Sequence, residues 1–285
     1  MPVTVVDTIA AFRSTLDEAR RTGHAVGLVP TMGYLHDGHL SLMARSKREC
    51  DLTAVTIFVN PLQFGANEDL STYPRDLPRD VERCDAQGVD LILAPPVEEM
   101  YPEPVLTTVS VGELGLTMEG ASRPTHFAGV STVVAKLFNI AGPCRAYFGE
   151  KDYQQLAIVT RMARDLSFPI TIVPCAIVRE PDGLAMSSRN VYLTPEERAA
   201  APVLHRALLA GAAAAVAGER DPQAAVDLVA DIIRAEPLAQ LDYAEVVVDG
   251  TVTRPDELHG AVRFVVAARF GTPRLLDNLA VQLPG

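Results

Sequence analysis

The sequence contains no tryptophan, and it has only four cysteines in 285 residues. That number is far below the density of a disulfide-stapled scaffold. No Cys-x-x-Cys pair, the spacing typical of zinc and redox sites, occurs among Cys50, Cys84, Cys144 and Cys175. We therefore expect four buried free thiols in a reducing cytosol.

Basic residues are outnumbered, with 25 Lys and Arg against 36 Asp and Glu, which gives a net charge of −11. Nucleic-acid binders usually present a basic face, so we expect no nucleic-acid partner. The N-terminus lacks the cationic start and apolar run of a signal peptide. No apolar stretch of about 18 residues with membrane character is evident, and the Ala-rich segment 208–217 indicates a packed helix. The sequence thus predicts a cytoplasmic protein without a membrane partner.

Short apolar strands alternate with helical patterns over the first two-thirds of the chain. This order predicts a parallel sheet covered on both faces, which is an α/β, Rossmann-like doubly wound fold. Ligands of such sheets bind at the carboxyl ends of the strands. The predicted helices are 7–22, 40–50, 78–87, 130–141 and 154–166, and the predicted strands are 25–30, 52–59, 90–95, 145–149 and 170–178.

The pattern changes after residue 178. A polar loop, 179–190, precedes two helices, which begin at the Thr194-Pro195 and Asp221-Pro222 caps. Three further strands are predicted at 242–249, 261–270 and 274–283. We therefore predict two domains: a catalytic domain over 1–178, and a smaller α+β domain over 179–285 that acts as a lid.

The segment 29–43 combines a strand end, a glycine-containing turn and two histidines before a helix. Helix N-termini expose unpaired N–H groups that suit phosphates, and Gly33 and Gly38 allow close backbone approach. His36 and His39 can donate to phosphate oxygens as negative charge develops. The alternatives are a turn with two incidental histidines, or a zinc site, which would lack a third ligand nearby. The strand-turn-helix context favours a nucleotide site.

Two more polar segments are candidates for phosphate contacts. The loop 183–190 offers Ser187, Ser188 and the guanidinium of Arg189, although such loops are usually surface turns. The segment 148–156 offers Lys151 for the triphosphate and Asp152 for magnesium or ribose, and its alternative is a capped helix start with solvated charges.

Neutral amides and a few charged groups complete the candidates. Asn60 and Gln63 follow a strand and suit hydroxyl or carboxylate recognition. Arg123 and His126 precede a helix; either can reach an anion, although a structural role for His126 is favoured. Asp80 is a candidate magnesium ligand, with an exposed helix carboxylate as its favoured alternative.

The motifs PTMGYLHDGHLSL, FVNPLQFG, YPRD, RPTHFAGV, YFGEKDYQQL, DGLAMSSRN and RLLDN occur in this order over nearly the whole chain. The first, with its HxGH turn, resembles the nucleotidyltransferase superfamily. Together they resemble the pantothenate synthetase family. The resemblance implies ligation of (R)-pantoate to β-alanine through a pantoyl adenylate, with ATP converted to AMP and pyrophosphate, Mg²⁺ as cofactor and a homodimer as the assembly.

The same resemblance implies roles for individual residues. His39 is the general acid, and His36, Lys151 and Arg189 are the other catalytic groups. Gln63, Gln155 and Asn60 bind pantoate or β-alanine, and Asp80 and Asp152 are metal-ligand candidates. The ATP site comprises Pro30, Thr31, Met32, Gly33, Tyr34, Leu35, His36, Asp37, Gly38, His39, Gly149, Glu150, Lys151, Asp152, Val178, Met186, Ser187, Ser188 and Arg189.

Three other functions remain open at this point. A nucleotidyltransferase that keeps the nucleotide on its product would share the HxGH turn. A tRNA synthetase is disfavoured by the acidic chain and the short C-terminal region. A silent nucleotide-binding module is disfavoured by the presence of every phosphate-binding candidate.

Overall fold

The computed structural model describes residues 2–65, 68 and 70–284. Positions 1 and 285, the outer ends of the two predicted domains, lie outside this range. The chain forms two compact units, Met1–Glu150 with Ile158–Ala176, and Lys151–Ala157 with Ile177–Gly285. Lys151–Ala157 thus belongs to the second unit, although the sequence analysis placed it in the first domain. The division at 178 and the lid role stay predictions.

The first unit contains a six-stranded, fully parallel sheet. Its order is β1-β4-β3-β2-β5-β6. The central strands are buried on both faces, as expected for a sheet covered on both sides, and this confirms the predicted α/β class. The strands are β1 (Thr4–Val6), β2 (Val26–Thr31), β3 (Leu52–Ile57), β4 (Leu91–Leu93), β5 (Cys144–Gly149) and β6 (Ile170–Cys175).

Helices connect these strands and cover the sheet. Helix α1 contacts α6, and α2 contacts α3. The crossovers that contain α1 and α6 run along the sheet in one direction, and those that contain α2 and α3 run in the other. Because such crossovers are right-handed, the two pairs of helices lie on opposite faces of the sheet. The helices are α1 (Ile9–Arg21), α2 (Asp37–Glu49), α3 (Leu77–Ala86), α4 (Val97–Met100), α5 (Glu119–Ser122), α6 (His126–Ala141) and α7 (Tyr153–Asp165), with 3₁₀ turns at Pro61–Gln63, Gly112–Gly115 and Glu150–Asp152.

Strand β2 marks the point where the strand order reverses. Its neighbours are β3 on one side and β5 on the other, with Leu28 paired to Ala54 and to Ala146. In open α/β sheets, ligands bind outside the carboxyl ends of the strands at such a reversal. The segments that follow β2, β3 and β5 are therefore the first place to look for a site.

The second unit contains an antiparallel three-stranded sheet packed against helices. Helix α10 contacts β7, and α9 contacts both β8 and β9. Thr194 and Glu197 form the predicted capping box. The elements are α8 (Pro195–Ala200), α9 (Val203–Val216), α10 (Pro222–Arg234), β7 (Gln240–Val248), β8 (Ala261–Arg269) and β9 (Arg274–Gln282), with a 3₁₀ turn at Ser188–Tyr192.

One helical run, Pro195–Val216, is long and apolar enough by length and composition to cross a membrane. Length and composition alone do not distinguish a membrane span from the core helix of a globular protein. Half of its apolar window is buried, and Leu204, Ala207 and Leu208 belong to the hydrophobic core of the second unit. This burial is typical of a core helix, as predicted for the Ala-rich segment.

Most predicted elements are present, with shifts at their ends. Helix α2 begins at Asp37 rather than residue 40, because His36 is its N-cap. Helix α6 begins at His126 rather than residue 130, and β6 ends at Cys175 rather than residue 178. Strand β1 and helices α4 and α5 were not predicted; each has only three or four residues, too few for a periodic pattern.

Candidate active site

The turn that follows β2 has a tightly specified backbone. The Thr31 hydroxyl donates to the carbonyl of Thr56 at 2.7 Å and accepts the Gly33 N–H at 3.2 Å. Gly33 has a φ of +81°, and a Cβ there would lie 2.9 Å from a carboxylate oxygen of Asp80. Tyr34 also has a positive φ, of +48°. Glycine is therefore required at position 33. Tyr34 keeps its uncommon backbone conformation because of a hydrogen bond to another part of the chain.

The acceptor of that hydrogen bond is the buried carboxylate of Asp80, on α3. Its two oxygens accept the N–H groups of Tyr34 and Leu35, each at 2.7 Å. Asp80 is only 1% exposed, and burial raises the pKa of its carboxyl although the two N–H bonds and Arg79 oppose the shift. The reading of Asp80 as an exposed helix carboxylate was therefore wrong. Its side chain fixes the turn that precedes the two histidines.

His36 and His39 lie together at the N-terminus of α2. Their ring centroids are 4.1 Å apart, and the His36 N–H donates to Nδ1 of His39 at 3.4 Å. An acceptor role for Nδ1 places the proton of a neutral His39 ring on Nε2. His39 is thus oriented as an Nε2–H donor at the N-terminus of a helix, where the helix dipole favours negative charge. A ring donor at such a helix end suits a phosphate.

The segment after β3 holds two buried amides. Asn60 is 1% exposed and Gln63 is 7% exposed. The Asn60 Nδ2 group donates to Oε1 of Gln63 and to the carbonyl of Gly129, each at 3.2 Å. The Gln63 Nε2 group contacts Sδ of Met32 at 2.9 Å, which links this segment to the turn after β2. The side chain of Gln63 is thereby held in one orientation, with lone pairs and a proton left for a polar ligand.

Helix α6 supports the same segment from behind. A Cβ on Gly129 would lie 2.1 Å from the carbonyl oxygen of Leu62, so the helix backbone is in direct contact with the 61–63 turn. The Nδ1 group of His126 bonds to the carbonyl of Gln63 at 2.9 Å, and the guanidinium of Arg123 donates to the same oxygen at 3.2 Å. Because that carbonyl can only accept, the neutral His126 ring carries its proton on Nδ1.

His126 and Arg123 are therefore built into the structure of the site. His126 is 9% exposed, and burial, followed by the charge of Arg123, lowers the pKa of its imidazole. Arg123 also pairs with Glu68 and with Glu119. These contacts agree with the structural role favoured for His126. The guanidinium of Arg123 is paired with carboxylates of the protein itself.

The second unit holds most of the remaining candidates, in two segments. Lys151 lies in the 3₁₀ turn at the start of α7, with its Nζ 3.4 Å from Oδ1 of Asp152. Gln155 is half-buried in the first turn of α7. Gly149, the last residue of β5, and Glu150, the first residue of the 3₁₀ turn, belong to the first unit. Lys151 and Asp152 can both face a ligand, since their side chains are 19% and 48% exposed.

The loop 179–190 is more ordered than a typical surface turn. Arg179 and Ala185 form an antiparallel bridge, and the Met186 N–H donates to the carbonyl of Val178 at 3.0 Å. The Ser187 hydroxyl accepts the N–H of Arg189 at 3.2 Å and caps the 3₁₀ turn that follows. The three side chains at positions 187–189 are half-buried, and the anchored backbone places them side by side.

The described residues contain no group of three His, Cys, Asp or Glu side chains that could hold a metal ion. Mg²⁺ in nucleotide sites is usually held by one or two carboxylates, water and the substrate phosphates. The half-exposed carboxylate of Asp152, beside the phosphate-binding candidate Lys151, fits that partial role. The fit of Asp80 is poorer, because both of its oxygens already accept backbone N–H groups.

Comparisons with known proteins agree over almost the whole chain. The family model for pantoate–β-alanine ligase matches residues 4–280. The chain is 53% identical over 279 residues to pantothenate synthetase from Roseiflexus castenholzii, covering 98% of this chain and 99% of that protein. It is 52% identical over 278 residues to pantothenate synthetase from Agrobacterium fabrum, covering 97% and 95%.

Solved structures give the same result. The crystal structure of pantothenate synthetase from Thermus thermophilus matches with a TM-score of 0.92 and 50% identity, over 97% of this chain and 99% of that one. The pantoate–β-alanine ligase from Francisella tularensis, complexed with β,γ-ATP and β-alanine, matches with a TM-score of 0.79 and 32% identity over 97% of each chain.

Proposed function

The chain belongs to the pantoate–β-alanine ligase family, and we propose how its residues activate pantoate with ATP and then join it to β-alanine. It is a ligase that forms an amide bond between these two substrates. A carboxylate resists attack by an amine, since oxide would have to leave. Activation of the carboxylate by ATP removes this obstacle, because AMP then becomes the leaving group.

In the first step, a carboxylate oxygen of pantoate attacks the α-phosphorus of ATP. The bond from that phosphorus to the bridging oxygen of the β-phosphate breaks, and pyrophosphate leaves. Negative charge grows on the phosphate oxygens, and donors fixed in advance stabilise it without reorganisation. We assign this role to His36 and His39.

Four other residues supply the remaining phosphate contacts in this proposal. Lys151 provides a positive charge, the hydroxyls of Ser187 and Ser188 donate hydrogen bonds, and Arg189 donates from its guanidinium fork. Val178 and Met186 contact the nucleoside. Asp152 would hold Mg²⁺ through its carboxylate, and the ion would supply further neutralisation of the phosphate charge.

In the second step, the neutral amine of β-alanine attacks the carbonyl carbon of the mixed anhydride. The bond to the phosphate oxygen breaks, AMP leaves, and the amine loses a proton. Gln63 and Gln155 hold pantoate through hydroxyl and carboxylate contacts, and Asn60 keeps the amide of Gln63 in place. The buried positions of Asn60 and Gln63 help to exclude water, which would otherwise hydrolyse the anhydride.

The observation that most strongly supports this proposal is the His36–His39 pair at the start of α2, on a turn fixed by Asp80. Its test is exchange of labelled pyrophosphate into ATP by the purified protein. Exchange should require pantoate and proceed without β-alanine. Retention of the nucleotide on the final product, or exchange independent of pantoate, would refute the proposal.

The magnesium requirement and the homodimer stay predictions of the family resemblance, and the cytoplasmic location stays a prediction of the sequence. Chelation with EDTA should abolish exchange, and added Mg²⁺ should restore it. Sedimentation equilibrium should give twice the chain mass of 30.6 kDa. A monomer would contradict the predicted homodimer, and full activity in excess EDTA would contradict the predicted magnesium requirement.

A further inference from the structure

Two adjacent residues of β9, Asp277 and Asn278, connect this strand to both nucleotide-binding segments of the second unit. They are 3% and 2% exposed. Successive side chains of a strand point to opposite faces, so each residue reaches a different partner. Asp277 bonds to the loop 179–190, and Asn278 bonds to the turn that contains Lys151.

The link through Asp277 is a paired set of charged hydrogen bonds. The guanidinium of Arg179 donates to both carboxylate oxygens of Asp277, at 2.7 and 2.9 Å. Arg179 also donates to the carbonyl of Gly183 at 3.0 Å and to that of Asn278 at 3.2 Å. One guanidinium thus fastens both the start and the tip of the loop to β9. The 3₁₀ turn Ser188–Tyr192 contacts the same strand.

The link through Asn278 uses both ends of its amide. Nδ2 donates to the carbonyl of Lys151 at 3.0 Å, and Oδ1 accepts from Nη1 of Arg263 at 2.6 Å. Arg263 in turn donates to Asp249 at 2.7 Å, and its guanidinium lies 4.6 Å from the ring centroid of Tyr153. The backbone of Lys151 is therefore held by a side chain that its own neighbours keep in one rotamer.

Buried groups of this kind are costly unless every one of them is paired. Apolar side chains at 277 and 278 would fill the same volume at a smaller desolvation cost. The polar pair instead restricts the geometry of its contacts, because a bidentate ion pair and an amide bonded at both ends each allow a narrow range of distances and angles. Because these hydrogen bonds hold the two segments that are proposed to bind ATP, they also fix the spacing between the phosphate contacts.

We propose that Asp277 and Asn278 are positioning residues for adenylation, which hold the 186–189 loop and the Lys151 turn at the spacing that the triphosphate requires. The proposal rests on the ATP contacts assigned above to Lys151, Ser187, Ser188 and Arg189. Misplacement of catalytic groups by about 1 Å costs on the order of 100-fold in rate. Loss of either link should therefore impair the use of ATP more than the use of the other substrates.

The test uses two isosteric variants of the full-length enzyme. Asp277→Asn removes the charge that pairs with Arg179, and Asn278→Asp keeps the acceptor for Arg263 but replaces the donor to Lys151. We expect each to lower kcat/KM for ATP by about 10- to 100-fold, and to change KM for β-alanine less than about threefold. Melting temperatures and circular dichroism report whether each variant is folded.

Asp242→Asn is the matched control. It breaks another Arg–carboxylate pair on the same sheet, between Asp242 on β7 and Arg274 on β9, for which Nε donates to Oδ2 at 2.7 Å. Its kinetic constants should stay within about twofold of the wild type. If one isosteric variant fails to fold, Arg179→Lys tests the Asp277 link and Asn278→Ser tests the Asn278 link.

Normal kcat/KM for ATP in the folded variants would overturn the proposal, as would an equal loss in Asp242→Asn. An equal fall in the use of ATP, pantoate and β-alanine would also overturn it and indicate a general structural role. These outcomes are separate from failure of the proposed function, which would appear in the wild-type enzyme as exchange that does not depend on pantoate.

Discussion

The carboxylate of Asp80 accepts the N–H of Leu35 at 2.7 Å, across 45 positions of sequence. The bond joins α3 to the turn that leads into α2, and its twin from Tyr34 has the same length. Gly33 lies so close to this carboxylate that a Cβ would not fit without displacement. The orientation of His36 and His39 therefore depends on a carboxylate that holds the backbone of the preceding turn.

Asp80→Asn should lower both stability and turnover. The amide keeps one acceptor but directs an NH₂ donor at the second N–H group, which is then left buried without an acceptor. We expect a loss of about 1–3 kcal/mol in the free energy of unfolding, together with a reduced kcat. Urea denaturation followed by circular dichroism and steady-state kinetics measure the two effects.

Asp76→Ala is a suitable control for that variant. Asp76 caps the same helix by accepting the N–H of Arg79, and its loss should cost about 1 kcal/mol. Its kcat should stay normal, because the cap does not touch the turn after β2. A normal kcat in folded Asp80→Asn would show that the turn does not need the carboxylate.

His39→Ala should keep the fold and lose most of its turnover. The imidazole is proposed to donate to phosphate oxygens in the transition state, and removal of one such donor typically lowers kcat by about 10²–10³-fold. KM for ATP should change much less than kcat. The exposed His24→Ala variant provides the control, and near-normal turnover in His39→Ala would remove the residue from catalysis.

Gln155→Ala should mainly weaken the use of pantoate. One neutral hydrogen bond is worth about 0.5–1.5 kcal/mol, so KM for pantoate should rise by up to about 10-fold. KM for ATP should be almost unchanged. Gln282→Ala, at an exposed position of β9, is the control. An unaltered KM for pantoate would place Gln155 outside the pantoate site.

His126→Asn should change how stability depends on pH. Burial lowers the pKa of His126 below its ordinary value of 6.5, so the native ring stays neutral while the unfolded chain takes up a proton. The unfolded state then binds more protons, and wild-type stability falls as the pH drops below about 6.5. Asn can donate to the carbonyl of Gln63 but does not titrate.

The stability of the wild type relative to His126→Asn should therefore decline between pH 7.5 and pH 5. Urea unfolding at several pH values, followed by circular dichroism, measures this difference. A difference that is independent of pH would mean that the His126 ring accepts a proton as readily in the native state as in the unfolded chain.

The sequence predicted the class of fold and the main segments of the candidate site, because both depend on local patterns. Alternating apolar strands and helical periodicity identify β2, β3 and β5, and polar residues follow each of these strands. Long motifs, such as the one with His36 and His39, fix the family. These features lie within about 15 consecutive residues, where spacing alone is informative.

The contacts that position the site were not predictable in the same way. Asp80 looked like an exposed carboxylate, since it lies on an amphipathic helix among other charges; its burial depends on the turn after β2. Asp277 and Asn278 formed part of a recognisable motif but had no assigned role. Their partners, Arg179 and Lys151, lie about 100 and 130 positions earlier in the chain, with no local signal to pair them.

The contact between Gly129 and the carbonyl of Leu62 has a consequence for redesign. The contact is between two stretches of main chain, so there is no side chain whose length could be changed there. Substitution at this contact therefore cannot alter the distance between α6 and the 61–63 turn. Under the proposed function, an acid site enlarged for a bulkier hydroxy acid would thus have to come from a side chain elsewhere around Gln63, for instance Met32, whose Sδ contacts the Gln63 amide. Selection experiments for altered acid use should accumulate changes there and leave position 129 as glycine.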